Sequence, residues 1–269
     1  MDEFGGFSVE GSGRGFGKVE PIRDQWQEPL YRINAGARYV ALDAATLYGN
    51  YAFGQATPRD GSLTEAHVAP DDEQRHTVDA GIIIDAGKLA TLTLGGFYAQ
   101  RDGALVLTGN TYADAEGLER EYYANRNITQ YGLELECRTQ ALWQHIVLFA
   151  DLLLMNSRIE TPDGDTGDYE EAPDQVLGAG IYANVGTVDI NAFARYVGSY
   201  KNNRFSADGS AQPLGDYVDL GLTVGITLGQ ERRTRVYGKL ENVLNDEYST
   251  VVGYYDPGRR FSAGLQHTF

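Results

Sequence analysis

LGAGIYANV (177–185), the turn Gly186-Thr187 and VDINAFARY (188–196) are the stretch on which the fold turns. Leu177, Ala179, Ile181, Ala183 and Val185 alternate with Gly178, Gly180, Tyr182 and Asn184. Beyond the turn, Val188, Ile190, Ala192, Ala194 and Tyr196 alternate with Asp189, Asn191, Phe193 and Arg195. A period of two is that of a strand, and a two-residue connection joins antiparallel strands into a hairpin. One face of this hairpin is uncharged, and the other carries both of its ions.

The same period recurs outward in both directions. Strands are expected near 30–42, 46–57, 74–86, 90–108, 123–139, 142–159, 175–186, 187–200, 217–229, 233–247 and 259–269. Their connections alternate in length. Short ones fall at Asp43-Ala44-Ala45, Gly87-Lys88-Leu89, Gln140-Ala141, Gly186-Thr187 and Gln230-Glu231-Arg232; long polar ones fall at 58–73, 109–122, 160–174, 201–216 and 248–258. Tight turns at one end and long loops at the other characterise an outer-membrane barrel.

Parity separates this reading from a soluble β-sandwich. Taken every second residue, Ile33 to Ala41, Leu47 to Phe53, Val78 to Ala86, Leu92 to Tyr98, Tyr131 to Cys137, Ile146 to Leu154, Leu177 to Val185, Val188 to Tyr196, Val218 to Leu228, Val236 to Leu240 and Phe261 to Phe269 include no Asp, Glu, Lys or Arg. The interleaved positions hold Arg38, Asp79, Asp85, Glu134, Glu136, Asp151, Asp189, Arg195, Asp219 and Lys239. A sandwich core must be filled to close packing, yet this uncharged face is thin at Ala35, Ala37, Gly49, Gly96, Ala192 and Ala194. Lipid accepts such a face. The expected fold is therefore all-β, an antiparallel transmembrane barrel with about 11 to 12 strands present in this chain.

Composition agrees. The 22 Lys and Arg stand against 38 Asp and Glu, a net charge of −16. That balance argues against a nucleic-acid partner, whose phosphates call for clustered cations. Cys137 is the single cysteine, which excludes an internal disulfide and a cysteine-built zinc site. Glycine, 33 of 269 residues, is well above the usual share of about 7%, as expected of a chain rich in strands and turns. No apolar run reaches the roughly 18 to 20 residues of a membrane helix, and the first residues lack a secretory leader.

The tail from Lys239, KLENVLNDEYSTVVGYYDPGRRFSAGLQHTF, resembles the closing strands of the TonB-dependent outer-membrane receptor family. There an "xxNLxDxxY" phrase leads through an external loop to Pro-Gly-Arg and a last strand ending in Phe. The matching residues are Glu241, Asn242, Val243, Leu244, Asn245, Tyr248, Pro257, Gly258, Arg259 and Phe269. LYGNYAFGQATP (47–58), Ala69-Pro70, Thr77 to Gly81, and the run from Asn127 through Tyr131-Gly132 to Glu134-Leu135-Glu136 resemble further family phrases. Ser262, Gly264 and Phe269 resemble the C-terminal signal read by the barrel insertion machinery.

This resemblance implies residues 28–269 as the C-terminal part of the barrel, half of a 22-stranded one, with 1–27 a loop or incomplete strand. It implies a receptor in the bacterial outer membrane, taking up a scarce ligand such as a ferric siderophore through the TonB system by way of a plug that this chain does not show. A small closed barrel acting as an adhesin or passive channel, with residues 14–27 supplying a twelfth strand, is the alternative. No enzymatic activity and no cofactor are expected. Ligand-binding candidates are Arg38, Arg195, Tyr237 and Lys239 in the lumen and Tyr254, Tyr255 and Arg259 in the last loop, because arginine and aromatic groups suit an anionic or catecholate-like chelate. Asp163 to Glu171 is rich in carboxylates but lacks EF-hand spacing, so it reads as a solvated turn. His67, His76, His145 and His267 show no metal-ligand spacing, with His145 expected mid-barrel, and the Gly-rich run 11–17 fits no nucleotide fingerprint.

Overall fold

In a computed structural model, residues 6–9, 22–26, 30–58, 61–114, 117–161, 163–202, 211–229 and 233–268 are described. Among them there is no helix. Eleven strands follow one another in a single antiparallel path: β1 Arg32–Leu42, β2 Ala45–Ala56, β3 Glu73–Asp85, β4 Ala90–Ala113, β5 Glu119–Thr139, β6 Ile146–Glu160, β7 Gln175–Val185, β8 Val188–Val197, β9 Tyr217–Leu228, β10 Thr234–Glu241 and β11 Arg260–His267. Every strand pairs with its sequence neighbour, and β1 and β11 end the path. Of the segment 14–27 expected as a possible twelfth strand, residues 14–21 and 27 lie outside the described residues; Ile22–Trp26 pairs with Gly6–Val9 in a separate ribbon.

The register carries the parity across the whole sheet. Tyr39 faces Leu47, which faces Ile82, then Leu94, Leu135, Leu152, Leu177, Tyr196 and Val218, one unbroken uncharged row over nine strands. A slip of one residue at any seam would turn a charged set onto this face, so the pattern itself fixes the register.

Burial is inverted relative to a soluble domain. Large apolar side chains of the uncharged face lie open, among them Ile33 at 57% exposure, Leu133 at 57% and Leu265 at 68%. The buried residues Ala104, Tyr122, Ile128, Val176, Val197, Leu214 and Tyr217 gather instead towards the long-loop end. The accessible surface is 18296 Å², against roughly 11,500 Å² for a compact soluble chain of this mass. The open face is bounded towards the long loops by Tyr51, Tyr98 and Tyr131, in register with one another through Val78. The next row out, Phe53, His76, Gln100, Thr129 and Arg158, is mostly polar. An apolar band ending in tyrosines and then polar groups is the profile of a bilayer boundary.

Three expectations need correction. The long loop at 109–122 is largely strand: β4 and β5 run on as a tall hairpin whose tip spans only 114–118. Gly109 (φ 80°) and Gly103 (φ 71°) take left-handed conformations beside register shifts, so these turn-forming residues serve as bulges within the hairpin. The turn at Gln140-Ala141 widens to residues 140–145, with Trp143 and Gln144 both at positive φ, which places His145 at the short-turn end and not mid-barrel. Finally β10 stops at Glu241, because Asn242 (φ 46°) turns the chain. Gln230-Glu231-Arg232 and Phe269 lie outside the described residues.

Candidate functional site

The charged face is organised around glycine. Five aromatic side chains lie directly across from a glycine on the following strand: Tyr48 from Gly81, Phe97 from Gly132, Phe149 from Gly180, Phe193 from Gly221 and Tyr237 from Gly264. A Cβ on Gly81 would come within 2.6 Å of the Tyr48 hydroxyl, and one on Gly132 within 2.8 Å of the Phe97 ring. At Gly221 and Gly264 the partner ring likewise occupies the space. Each ring thus covers backbone that has no side chain of its own, which stabilises a weak strand position and holds the ring flat against the wall. Gly264, expected as part of an insertion signal, sits beneath Tyr237.

Charges on this face divide by region. On β5 and β6, Glu136 stands directly opposite Asp151, with Glu134 two residues along; on β2 and β3, Asp79 accepts a 3.2 Å hydrogen bond from the Asn50 amide. Like charges directly opposed oppose pairing unless a cation faces them. On β8 to β10, Arg235 reaches over Gly225 to Asp189 in a bidentate pair, Nε to Oδ1 at 2.9 Å, and its guanidinium lies 5.0 Å from the Tyr237 ring. Lys239 donates to Glu241 at 2.8 Å, and Arg195 faces Asp219. Tyr237 and Lys239 are therefore already engaged. Arg38 is exposed on the end strand β1, so the structure does not bring it together with Arg195, Tyr237 and Lys239.

At the long-loop end two clusters stand out. The first joins loop 57–72 to the tall hairpin: Tyr122 Oη and His67 Nε2 lie 3.0 Å apart, Tyr112 packs on Tyr122 at 4.6 Å, and Asn110 donates to Glu65 at 2.8 Å. At its base Arg101 grips Glu73 with two hydrogen bonds of 2.8 and 2.9 Å. That contact holds the Glu73 carboxyl below the usual carboxylate range. Burial, with Glu171 beside it, pushes the neighbouring Tyr169 hydroxyl up to about 12.

The second cluster is the turn after β10. The Asn242 side chain, 1% exposed, donates to Asp246 O and Asp256 Oδ1 and accepts from Asp246 N, all at 2.9 Å. Asn245 Oδ1 accepts from Arg259 N, and Asp256 Oδ1 from Gly258 N. Tyr248 stacks on Tyr217 at 3.9 Å, and burial pushes its hydroxyl up to about 12. The Asn, Asp, Tyr and Pro-Gly-Arg phrase is thus one hydrogen-bonded knot. It presents Tyr254 (66% exposed), Tyr255 (78%) and Arg259 outward. Of the seven ligand candidates, only these three share a loop. Among the described residues no group of three His, Cys, Asp or Glu converges as metal ligands, and Thr166–Asp168 of the carboxylate-rich loop pairs with β6. The aromatic–glycine pairs and the His67 cluster were missed in the sequence because both depend on partners set by register or by a folded loop; only the glycine excess signalled the former.

The arrangement has clear relatives. The chain is similar in structure to the ferripyoverdine receptor of the outer membrane of Pseudomonas aeruginosa (TM-score 0.69, 13% identity, covering 92% of this chain and 34% of the receptor). It is also similar to the ferric-catecholate import receptor Fiu of E. coli K12 (0.67, 18%, 98% and 40%) and to the copper transporter OprC (0.68, 15%, 88% and 39%). The chain spans between a third and two-fifths of the length of these proteins. No curated protein matches it in sequence. A family model described as "TonB dependent receptor-like, beta-barrel" matches residues 11–243, most of the chain, and the chain belongs to that family.

Proposed function

We propose that this chain forms part of the wall of an outer-membrane receptor that binds a scarce chelate outside and imports it with energy from the TonB system. The observation that carries this is the pair of opposite faces: an uncharged, open face in register from β1 to β11, and behind it a charged face fit to surround a polar interior. Residues 28–269 are read as barrel, with the long loops outside and the short turns in the periplasm. The ligand class is a ferric siderophore or similar anionic metal chelate. Its first contacts are Tyr254, Tyr255 and Arg259, which supply stacking and charge from one rigid loop, with Arg38 and Arg195 the further lumen contacts. The carboxylates Glu134, Glu136 and Asp151 face a cationic surface of the plug. Nothing in this reading calls for an enzymatic step.

The test is uptake of a radiolabelled ferric catecholate by cells carrying the receptor, with and without a working TonB. Uptake that requires TonB and falls at least tenfold in a Tyr254→Ala, Tyr255→Ala, Arg259→Ala variant supports the proposal. Equal uptake without TonB would overturn active transport, and full uptake by the triple variant would overturn the loop as contact site.

A further inference from the structure

Between β8 and β9 a short ribbon, Tyr200–Asn202 paired with Gln212–Leu214, stands beyond the ends of both strands. Gly215 (φ 78°) and Asp216 (φ 54°) take consecutive left-handed conformations where its second arm returns to β9. A Cβ at Gly215 would strike Gly198 O and come within 2.8 Å of the Tyr200 ring, so only glycine lets the arm lie this close. Tyr200 and Tyr248 pack against one buried cluster, Val176, Val197 and Tyr217. The ribbon is therefore seated on the same base as the last loop.

From that seat two successive residues reach different loops. Tyr200 Oη donates to Thr250 O at 3.0 Å. Thr250 belongs to the arm Ser249–Val251, which pairs with Tyr254–Tyr255, and Ser249 Oγ donates to Tyr254 O at 2.8 Å. The Tyr200 hydroxyl thus holds the arm across from two of the candidate ligand contacts, whereas Arg259 is fixed separately, through Asn245. Lys201 grips Glu170 twice, its N to the backbone O at 2.7 Å and its Nζ to Oε1 at 2.8 Å. An exposed ion pair alone adds little, but here a backbone bond from the same residue sets its geometry. Glu170 has a firm footing of its own, because the adjacent Tyr169 N donates at 3.0 Å to the backbone O of Ser157, which is buried.

We propose that this ribbon is a brace for the ligand site, with Tyr200 and Lys201 as positioning residues that tie the tyrosine half of the last loop to the loop after β6. The inference rests on the last loop being the chelate contact, as read above. In the receptor purified in mild detergent, binding of a radiolabelled ferric catecholate is measured together with hydrogen exchange of residues 249–255. Tyr200→Phe should speed that exchange and weaken binding, each about fivefold, the worth of one ordinary hydrogen bond, while exchange of 220–228 in β9 stays unchanged. In a Tyr254→Ala, Tyr255→Ala background the same substitution should cost binding nothing further, whereas with Arg259→Ala its cost should add in full. Glu170→Lys should speed exchange of 165–172 and 249–255 together, and the charge swap Glu170→Lys, Lys201→Glu should restore both. Unchanged exchange in Tyr200→Phe, a binding loss that persists without the two tyrosines, or a swap that restores nothing overturns the brace. Faster exchange in Tyr200→Phe, combined with full binding by the Tyr254→Ala, Tyr255→Ala receptor, upholds the tie between the loops and overturns the tyrosines as contacts.

Discussion

Gly96 and Gly132 lie on neighbouring strands, one residue apart in register, and face opposite sides of the same sheet. A Cβ on Gly132 would strike the Phe97 ring, whereas one on Gly96 would meet nothing closer than 3.6 Å. The contrast extends across the wall. On the lumen side Gly81, Gly132, Gly180, Gly221 and Gly264 lie beneath rings, while on the lipid side Gly49, Gly96 and Gly238 have ordinary room. One residue type therefore answers to two kinds of physics. Inside, its missing side chain is filled by a neighbour; outside, it shapes the surface offered to lipid.

The largest expected effect tests the faces themselves. Leu94→Lys, in the lipid-facing row, should cost about 2–4 kcal/mol, and Thr93→Lys, its lumen-facing neighbour, less than about 1 kcal/mol. Denaturant unfolding from vesicles measures both, and equal costs would erase the distinction. Next, Gly221→Ala should cost about 1–3 kcal/mol through overpacking against Phe193, whose ring alone lies close enough to clash. The cost should largely vanish in a Phe193→Ala background, and additivity in that double-mutant cycle would break the ring-on-glycine argument.

A third prediction concerns the loop end, where charge and not register fastens the structure. Because Glu73 titrates below its usual value in the folded protein, the Arg101 bridge is fully present above the ordinary carboxylate range and is lost as pH falls through the folded value. Protease cleavage within loop 57–72 should rise as the pH falls below the ordinary carboxylate range, and Glu73→Gln should remove that pH dependence while raising cleavage at neutral pH. Smallest of all, Gly49→Ala should change stability by no more than about 0.5 kcal/mol, since its nearest neighbour to a new Cβ is Asp79 O at 3.8 Å.

The strands and their faces were legible in the sequence because each rests on local alternation, as at Leu177 to Tyr196, where expectation and structure agree to within a residue or two on the inner ends. What was not legible needed either partners or unusual backbone. Gly109 and Asn110 have the composition of a turn, and only the pairing of Thr111 with Glu121 reveals a bulge. Trp143 and Gln144 adopt left-handed conformations that neither residue type advertises. At the candidate ligand site, the exposed Tyr254, Tyr255 and Arg259 were found by residue type. The engagement of Tyr237 by Arg235, and of Lys239 by Glu241, was not, because those contacts depend on where neighbouring side chains reach.

The ordering of the path has a consequence for assembly. With eleven antiparallel strands in the path formed by the described residues, β1 and β11 run in the same direction, both from the long-loop end to the short-turn end. A second copy of the chain would therefore meet the first through two parallel seams, breaking the antiparallel pattern at both joints. Whatever completes a wholly antiparallel cylinder must show two edges of the opposite sense, and so must itself contain an odd number of strands.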